Sequence, residues 1–190
     1  MSIIAFIPLF PLASAALLML STGRMPRRLA AFLGAGSVGL SAVCVALVAS
    51  DVLDDGQVRE LTLWTWMAVD NFTPRIAFYV DGLTVVMMSI ITGVGFLIHL
   101  YSVEFMWEDE SFCRYFAYMN LFVAAMLLLV MADNLLLLYL GWEGVGVCSY
   151  LLVGFWYRDP ANGAAARKAF VVTRVGDTAM ALGLFLLFTE

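Results

Sequence analysis

Long apolar stretches restrict the fold of this chain more than any other feature of its sequence. A helix needs about 20 mostly apolar residues to cross the hydrocarbon core of a bilayer, which is ~30 Å thick. Hydrophobic residues make up 63% of the chain and charged residues 13%, so the sequence can supply several such helices. Five stretches qualify directly: residues 3–21, 29–50, 83–102, 115–132 and 134–155.

A sixth span is predicted over residues 167–188, although its first half carries Lys168, Arg174 and Asp177. Hydropathy alone favours this segment only weakly. A helix nevertheless satisfies its own backbone hydrogen bonds in lipid, and charged residues inside such helices usually have a function. The predicted fold class is therefore an all-α integral membrane protein, a six-helix transmembrane bundle.

The distribution of basic residues predicts that both ends of the chain lie outside the cytoplasm. Small residues at positions 13–15 resemble a signal-peptide cleavage site, but the nearby arginines follow the first apolar stretch, whereas a signal peptide carries its positive charge before it. Cytoplasmic loops are enriched in Lys and Arg. With the N-terminus outside, Arg59 and Arg75 are the loop cations on the outer side. Those on the inner side are Arg24, Arg27, Arg28, Arg114, Arg158, Arg167 and Lys168.

The loop between the second and third spans has the pattern of a β-hairpin on the outer surface. Apolar and polar residues alternate over residues 61–67, and a second short run follows at 76–80. Trp64 and Trp66 are placed like interfacial aromatic residues. An ordered irregular loop with the same aromatic residues is the alternative. Turn-forming residues stand between the two runs: Asp70, Asn71 and Pro74.

Short connections elsewhere predict one compact bundle in which consecutive helices are antiparallel neighbours. Residues 104–114 are polar and mixed in charge. Asn134 is placed to cap the N-terminus of the fifth helix. A turn-rich connector is predicted before the sixth span, over Asp159, Pro160, Asn162 and Gly163.

Redox chemistry is not expected of this chain. Cys44, Cys113 and Cys148 have no CxxC spacing and read as small packing residues. His99 is the single histidine, so the chain cannot form a bis-histidine haem site, and it lacks a ligand set for an iron–sulfur cluster. We expect no cofactor and no metal, and a packing or hydrogen-bonding role for His99. The net charge of −5 accompanies an acidic outer loop and indicates no nucleic-acid partner.

Glu143 is the residue that most demands a functional explanation. It lies near the middle of the fifth span, roughly 12 Å from either helix end at a rise of about 1.5 Å per residue. An acid at that depth costs on the order of 3 kcal/mol or more unless it is protonated or paired. Burial favours the protonated form of a carboxylic acid and a nearby cation favours the ionised form, so a buried acid with a movable partner can bind and release a proton. The alternative is a protonated glutamate that only hydrogen-bonds to a neighbouring helix.

Arg174 and Asp177 stand three residues apart and therefore share one face of the sixth helix. One interpretation is a self-neutralising ion pair that stabilises this helix. The other is that Asp177 holds Arg174 and that the two together set the electrostatic potential at Glu143. In that case the three residues form a proton pathway and its electrostatic control.

Four segments carry a resemblance to a known family. They read WEGVGVCSYLL at 142–152, KAFVVTRVGD at 168–177, LWTWM at 63–67 and DNLLLLY at 133–139. These segments resemble the largest antiporter-like subunit of respiratory complex I, NADH:quinone oxidoreductase, and the resemblance covers essentially the whole chain.

The resemblance implies a proton-translocating membrane subunit, without redox chemistry of its own, that couples quinone reduction by NADH to proton pumping. In that family the fifth-helix glutamate, matched by Glu143, pairs across the bundle with a seventh-helix lysine, which is absent from this sequence. Arg174 and Asp177 match the charged pair on the family's sixth helix. We therefore expect this chain alone not to pump.

The family's two inverted five-helix repeats imply a division of the chain. Residues 1–114 would form an N-terminal region with three transmembrane helices and the outer loop. Residues 115–190 would form the first three helices of the first antiporter-like repeat, which is incomplete here.

The implied partners are the other membrane subunits of complex I, above all the adjacent antiporter-like subunit, together with the lipid bilayer and protons. The implied location is the bacterial inner membrane, with the mitochondrial inner membrane as the alternative. Two other functions stay open: the large subunit of a multi-subunit sodium/proton antiporter, and a structural bundle that carries no ions. The glycines Gly144 and Gly146 and the RVGD sequence at 174–177 favour complex I, because the related antiporter subunit usually has bulkier or hydroxylated residues after the glutamate.

Overall fold

The computed structural model describes residues 3–21, 24–68 and 73–189 of the chain. Within these residues, six helices are long and apolar enough to cross a membrane, which confirms the predicted fold class. The helices are α1 (Ile3–Leu20), α2 (Arg27–Asp55), α3 (Gly82–Phe105), α4 (Phe112–Val130), α5 (Leu135–Val153) and α6 (Pro160–Thr189).

The second helix is longer than its apolar stretch, because it continues through an acidic turn to Asp55. It ends at Gly56, which has a φ of 64° and donates its N–H to the carbonyl oxygen of Val52 at 3.0 Å. Only glycine adopts this left-handed conformation without a steric penalty, so Gly56 is the C-terminal cap.

The predicted connector before the sixth helix is wrong in part. Pro160 is the first residue of α6, so Asn162 and Gly163 lie in its first turn. Proline suits the first helical position because its φ is already helical and its missing N–H has no intrahelical acceptor there. The Asp159 carboxylate accepts a hydrogen bond from the Ala161 N–H at 2.9 Å. Residues that indicate a turn by composition therefore begin a helix.

Pro11 leaves a gap in the hydrogen bonding of α1 that α2 fills. Because proline has no N–H, the carbonyl oxygen of Ile7 loses its usual helical donor. The Ser41 hydroxyl of α2 donates to that oxygen at 2.8 Å, and Ile7 and Ser41 are both fully buried. This bond joins the two helices and satisfies a carbonyl group that lipid cannot.

The fourth helix packs against both α1 and α2. Gly34 lies so close to Phe116 that an added Cβ would be 2.6 Å from the ring. The Ser37 hydroxyl donates to Oδ1 of Asn120 at 2.9 Å, and Asn120 is fully buried. The core of the bundle therefore combines close apolar packing with a few fully paired polar groups.

A two-stranded antiparallel sheet follows α2, which confirms the predicted hairpin. Its strands are β1 (Arg59–Thr65) and β2 (Arg75–Val80). Trp64 and Trp66 are exposed, as expected for interfacial aromatic residues. Two residues predicted for the turn, Asp70 and Asn71, lie outside the described residues.

The hairpin is attached to the connection between α4 and α5. The Asp133 N–H donates to the carbonyl oxygen of Ala77 in β2 at 3.1 Å. Oδ1 of Asn134 accepts from the Leu137 N–H at 3.0 Å, which confirms the predicted cap. The sheet therefore fixes the start of the helix that carries Glu143.

The third helix contains one wide turn, the π-helical segment Ile90–Val94. His99 follows this segment and is fully buried, with Nδ1 2.7 Å from the carbonyl oxygen of Gly95. Its hydrogen-bond partner lies in its own helix, in keeping with the packing and hydrogen-bonding role expected of it. Tyr101, by contrast, is exposed.

Candidate functional site

Glu143 lies in the middle of α5, a helix that packs between α4 and α6. An added Cβ at Gly141 would lie 2.7 Å from the backbone of Leu129, so this glycine lets the backbones of α4 and α5 approach closely. The Glu143 side chain points away from that contact toward α6, where its partner lies, and is 26% exposed.

Arg174 connects the two acidic residues of the predicted site. It forms an ion pair with Glu143 through its Nη1 atom and Oε2 of the glutamate. Its Nε atom lies 3.4 Å from Oδ2 of Asp177, within the same helix. The structure thus brings all three residues into one cluster, with Arg174 between two carboxylates.

The guanidinium of Arg174 is packed closely on its other sides. Its Cζ lies 4.5 Å from the centre of the Phe170 ring, within the range of a cation–π contact. An added Cβ at Gly146 would lie 2.5 Å from Nη2. Nε and Nη2 are buried and have no hydrogen-bond partner among the described residues. Two of the three nitrogens are therefore held by packing and charge, without directed hydrogen bonds.

Trp142 is a fourth member of the cluster, and sequence reasoning missed it. Its indole Nε1–H donates to Oδ1 of Asp177 at 2.7 Å, across 35 positions of sequence. Asp177 itself is only 6% exposed. The available signal was a tryptophan in the middle of a span, where an indole N–H needs an acceptor. That signal does not identify which acceptor the indole finds.

The cluster carries a net negative charge when every group is ionised, because it has two carboxylates and one guanidinium. Uncompensated charge inside a membrane is costly, and a proton on either carboxylate removes it. Arginine keeps its proton in proteins. The cluster can therefore hold one proton.

A cavity of about 560 Å³ opens beside the cluster, between α4, α5 and α6. Asp177 and Trp142 line it together with mostly apolar side chains, among them Met126, Leu129 and Met180. The few polar side chains on its wall include Ser149 and Thr173. The cluster thus lies at the edge of a space between helices and not in the packed core.

Other candidate chemistry is not assembled in the described part of the chain. No group of three or more His, Cys, Asp or Glu residues is arranged to hold a metal ion there. Cys113 and Cys148 are buried and Cys44 is partly buried, and all three are free thiols.

Two family models match two separate segments of the chain. Residues 66–116 match "NADH-Ubiquinone oxidoreductase (complex I), chain 5 N-terminus". Residues 132–190 match "NADH:quinone oxidoreductase/Mrp antiporter, TM". This segment of the chain contains Glu143, Arg174 and Asp177.

Curated relatives that match almost the whole chain are all named NADH-quinone oxidoreductase subunit L. The chain is 52% identical to NADH-quinone oxidoreductase subunit L of Escherichia coli over 100% of its own length. It is 52% identical to the Pseudomonas aeruginosa subunit over 96% and 44% identical to the Mycobacterium tuberculosis subunit over 94% of its length. It spans 31%, 30% and 29% of these three relatives, respectively.

Two solved structures share the fold at 21% sequence identity. One is the Mrp complex from Dietzia, with a TM-score of 0.78 over 100% of this chain and 20% of that one. The other is an archaeal membrane-bound sulfane sulfur reductase, with a TM-score of 0.75 over 99% of this chain and 28% of that one. At this level of identity the likeness shows the fold alone.

Proposed function

This chain belongs to the family of subunit L, the antiporter-like chain 5 of NADH-quinone oxidoreductase, and on that premise we propose that it carries protons across the bacterial inner membrane through Glu143. The observation that supports the proposal is the ion pair between Glu143 and Arg174 in the middle of the membrane. Asp177 provides a second anionic partner for the same arginine. A carboxylate whose counter-ion has two possible partners can change its protonation state without unfolding any helix.

The proposed cycle has two states of Arg174. When the guanidinium pairs with Glu143, the glutamate is ionised, and the cluster's proton is released or resides on Asp177. When the guanidinium moves toward Asp177, Glu143 loses its counter-ion and binds a proton, because burial favours the neutral acid. The two states need to differ by only a few kcal/mol for a change of charge nearby to shift their populations.

The driving force is supplied outside this chain. The family belongs to an oxidoreductase complex, and we propose that quinone reduction by NADH elsewhere in it shifts the charge near Glu143. By resemblance to the family, the next proton carrier is a lysine on a seventh helix, which this sequence does not contain. The chain spans about a third of its curated relatives, so this lysine and the other membrane subunits, including the adjacent antiporter-like one, belong to the proposal. The division of the chain at residue 114, into an N-terminal region and the start of an antiporter-like repeat, is also part of the proposal.

Sodium/proton exchange is the second candidate function. It is favoured by the family model over residues 132–190, which also describes Mrp antiporters, and by the fold shared with an Mrp complex. Gly146 argues against sodium/proton exchange, because the related antiporter subunit usually has a bulkier residue after the glutamate. In this chain a larger residue at position 146 would occupy the space of the Arg174 guanidinium.

Inverted membrane vesicles containing the complete complex distinguish these functions. We expect NADH to drive proton uptake at the same rate with and without sodium, and Glu143→Gln to reduce that uptake. Uptake of radioactive sodium that depends on Glu143 would instead assign the exchange function. Unchanged uptake of both ions in the variant would leave a structural bundle as the function of this chain.

A further inference from the structure

Arg114 is a partly buried cation at the inner end of the bundle, distant in sequence from the proton cluster. It lies in the first turn of α4. Among the described residues no carboxylate lies within ion-pair distance of it. Its Nε atom is buried and makes no hydrogen bond there. A partly buried cation in this state is costly unless an anion accompanies it.

The guanidinium of Arg114 is held in a fixed orientation. Its Cζ lies 4.9 Å from the ring centres of both Phe155 and Tyr157. One nitrogen, Nη2, donates to the carbonyl oxygen of Phe155 at 3.2 Å. These contacts orient the group without neutralising its charge.

Three acidic side chains lie near Arg114 without forming an ion pair with it. The Asp109 carboxylate accepts hydrogen bonds from the Ser111 N–H at 2.7 Å and from the Trp156 indole at 2.9 Å. Glu110 pairs with Arg158 at 3.5 Å, at a highly exposed position. Glu108 is exposed to solvent. These three carboxylates line a cavity of about 300 Å³ together with Arg114, but none of them forms an ion pair with it among the described residues.

A cavity of about 190 Å³ adjoins Arg114 between α4, α5 and α6. Its wall includes Tyr118, Tyr150 and Gly154, together with Gly163 from the first turn of α6. At about 30 Å³ per water, the cavity has room for a phosphate group with its ester oxygens.

The cavity lies at the level expected for lipid headgroups. Under the predicted topology this end of the bundle faces the cytoplasm. Trp156 and Tyr157 are 55% and 61% exposed beside it, as in an interfacial aromatic belt. Arg167 and Lys168 are exposed on the adjoining part of α6. Basic pockets between transmembrane helices on this side of a membrane suit anionic headgroups.

We infer that Arg114 and the cavity between α4, α5 and α6 form a binding site for the phosphate of an anionic phospholipid. The lipid phosphate lies in this cavity and pairs with the Arg114 guanidinium, and the acyl chains extend into the bilayer. The inference does not depend on the proposed proton transfer. The site holds the inner ends of three helices together, one of which carries Glu143 and one Arg174.

The test uses the complete complex in nanodiscs of phosphatidylcholine with a minor fraction of phosphatidylglycerol, and native mass spectrometry to count retained lipids. We expect the wild-type complex to retain phosphatidylglycerol preferentially and Arg114→Gln to lower that preference at least about fivefold. Arg158→Gln is the matched control, because it removes a neighbouring exposed cation, and it should leave the preference unchanged. Equal preference in wild type and Arg114→Gln would overturn the inference.

Two further measurements keep the inference testable if Arg114→Gln does not assemble. A photoactivatable phosphatidylglycerol should cross-link in the wild-type complex to Tyr118, Tyr150 or Tyr157, and cross-links confined to other parts of the subunit would contradict the site. Inorganic phosphate at millimolar concentration should not reduce the cross-linking. If inorganic phosphate abolishes the cross-links to these residues, the site binds a soluble phosphate and the lipid assignment is wrong.

Discussion

Gly146 of α5 and Arg174 of α6 are in contact so close that a single methyl group does not fit between them. An added Cβ at Gly146 would lie 2.5 Å from Nη2 of the arginine. The absence of a side chain at this position therefore sets where the guanidinium lies relative to Glu143.

Gly146→Ala should displace Arg174 and weaken its pairing with Glu143. Nη2 is the far end of a flexible side chain, so the guanidinium shifts while the helices keep their packing, and its distance to Glu143 changes. We expect a several-fold loss of NADH-driven proton uptake in vesicles, with the complex still assembled. Gly183→Ala is the control, because nothing lies within 4 Å of a Cβ at that position and it lies outside the cavity beside the cluster, and uptake in this variant should be unchanged.

Asp177→Asn should harm proton transfer less than Glu143→Gln. In Asp177→Asn the arginine keeps Glu143 as its ion-pair partner, and the Asn oxygen can still accept from Trp142. The proton carrier therefore remains, but Arg174 loses its alternative anionic partner. Proton uptake should slow without disappearing, as measured in vesicles at matched complex content. Equal and complete loss in both variants would reverse the assignment of roles.

Much of this arrangement is predictable from the sequence. The thickness of the membrane sets the length of each helix, and the free-energy cost of a charged side chain in lipid indicates that such a residue has a function. Glu143 was identified from its depth in an apolar span, and the shared face of Arg174 and Asp177 from their spacing. The ion pair between Arg174 and Glu143 realises one of two interpretations that the sequence allows, and the rotation of α5 against α6 decides between them. The bond from Trp142 to Asp177 and the contact at Gly146 depend on the same rotation.

The start of α6 shows a different limit of sequence reasoning. Pro160, Asn162 and Gly163 have the composition of a turn, and proline is equally suited to the first position of a helix. Composition alone does not separate the two. The long apolar segment that follows decides between them, because it extends the helix through the membrane.

Membrane orientation stays a prediction from the arginine distribution, and cysteine labelling tests it. Ala161 and Gln57 are both exposed and lie at opposite ends of the bundle. In a background without the three native cysteines, Ala161→Cys should react with an impermeant maleimide only from the cytoplasmic side and Gln57→Cys only from the outer side. The opposite pattern would invert the topology.

The cap at the start of α3 should make its local stability depend on pH. The Thr84 N–H donates to Oδ1 of Asp81 at 2.8 Å, and this bond holds the pKa of Asp81 below its ordinary value of 3.8. A lowered pKa means that the ionised cap stabilises the fold above the ordinary value, and that this contribution is lost as the pH falls through the lowered value. Asp81→Ala should therefore cost about 1 kcal/mol at pH 7 and less at pH 3, as measured by thermal unfolding of the two proteins in detergent. An equal difference at both pH values would contradict the role of the charge.

The most direct test of the account is the number of protons taken up per NADH oxidised by vesicles that contain the Glu143→Gln complex. Glutamine keeps the size of the side chain but cannot release a proton, so the ratio should fall by the whole share of this subunit while the complex stays assembled. Glu143→Asp, which keeps the acid on a shorter arm, should retain part of that share. Glu104→Gln, the same change at an exposed position in α3, should retain all of it. A full wild-type ratio in well-assembled Glu143→Gln vesicles would contradict the account.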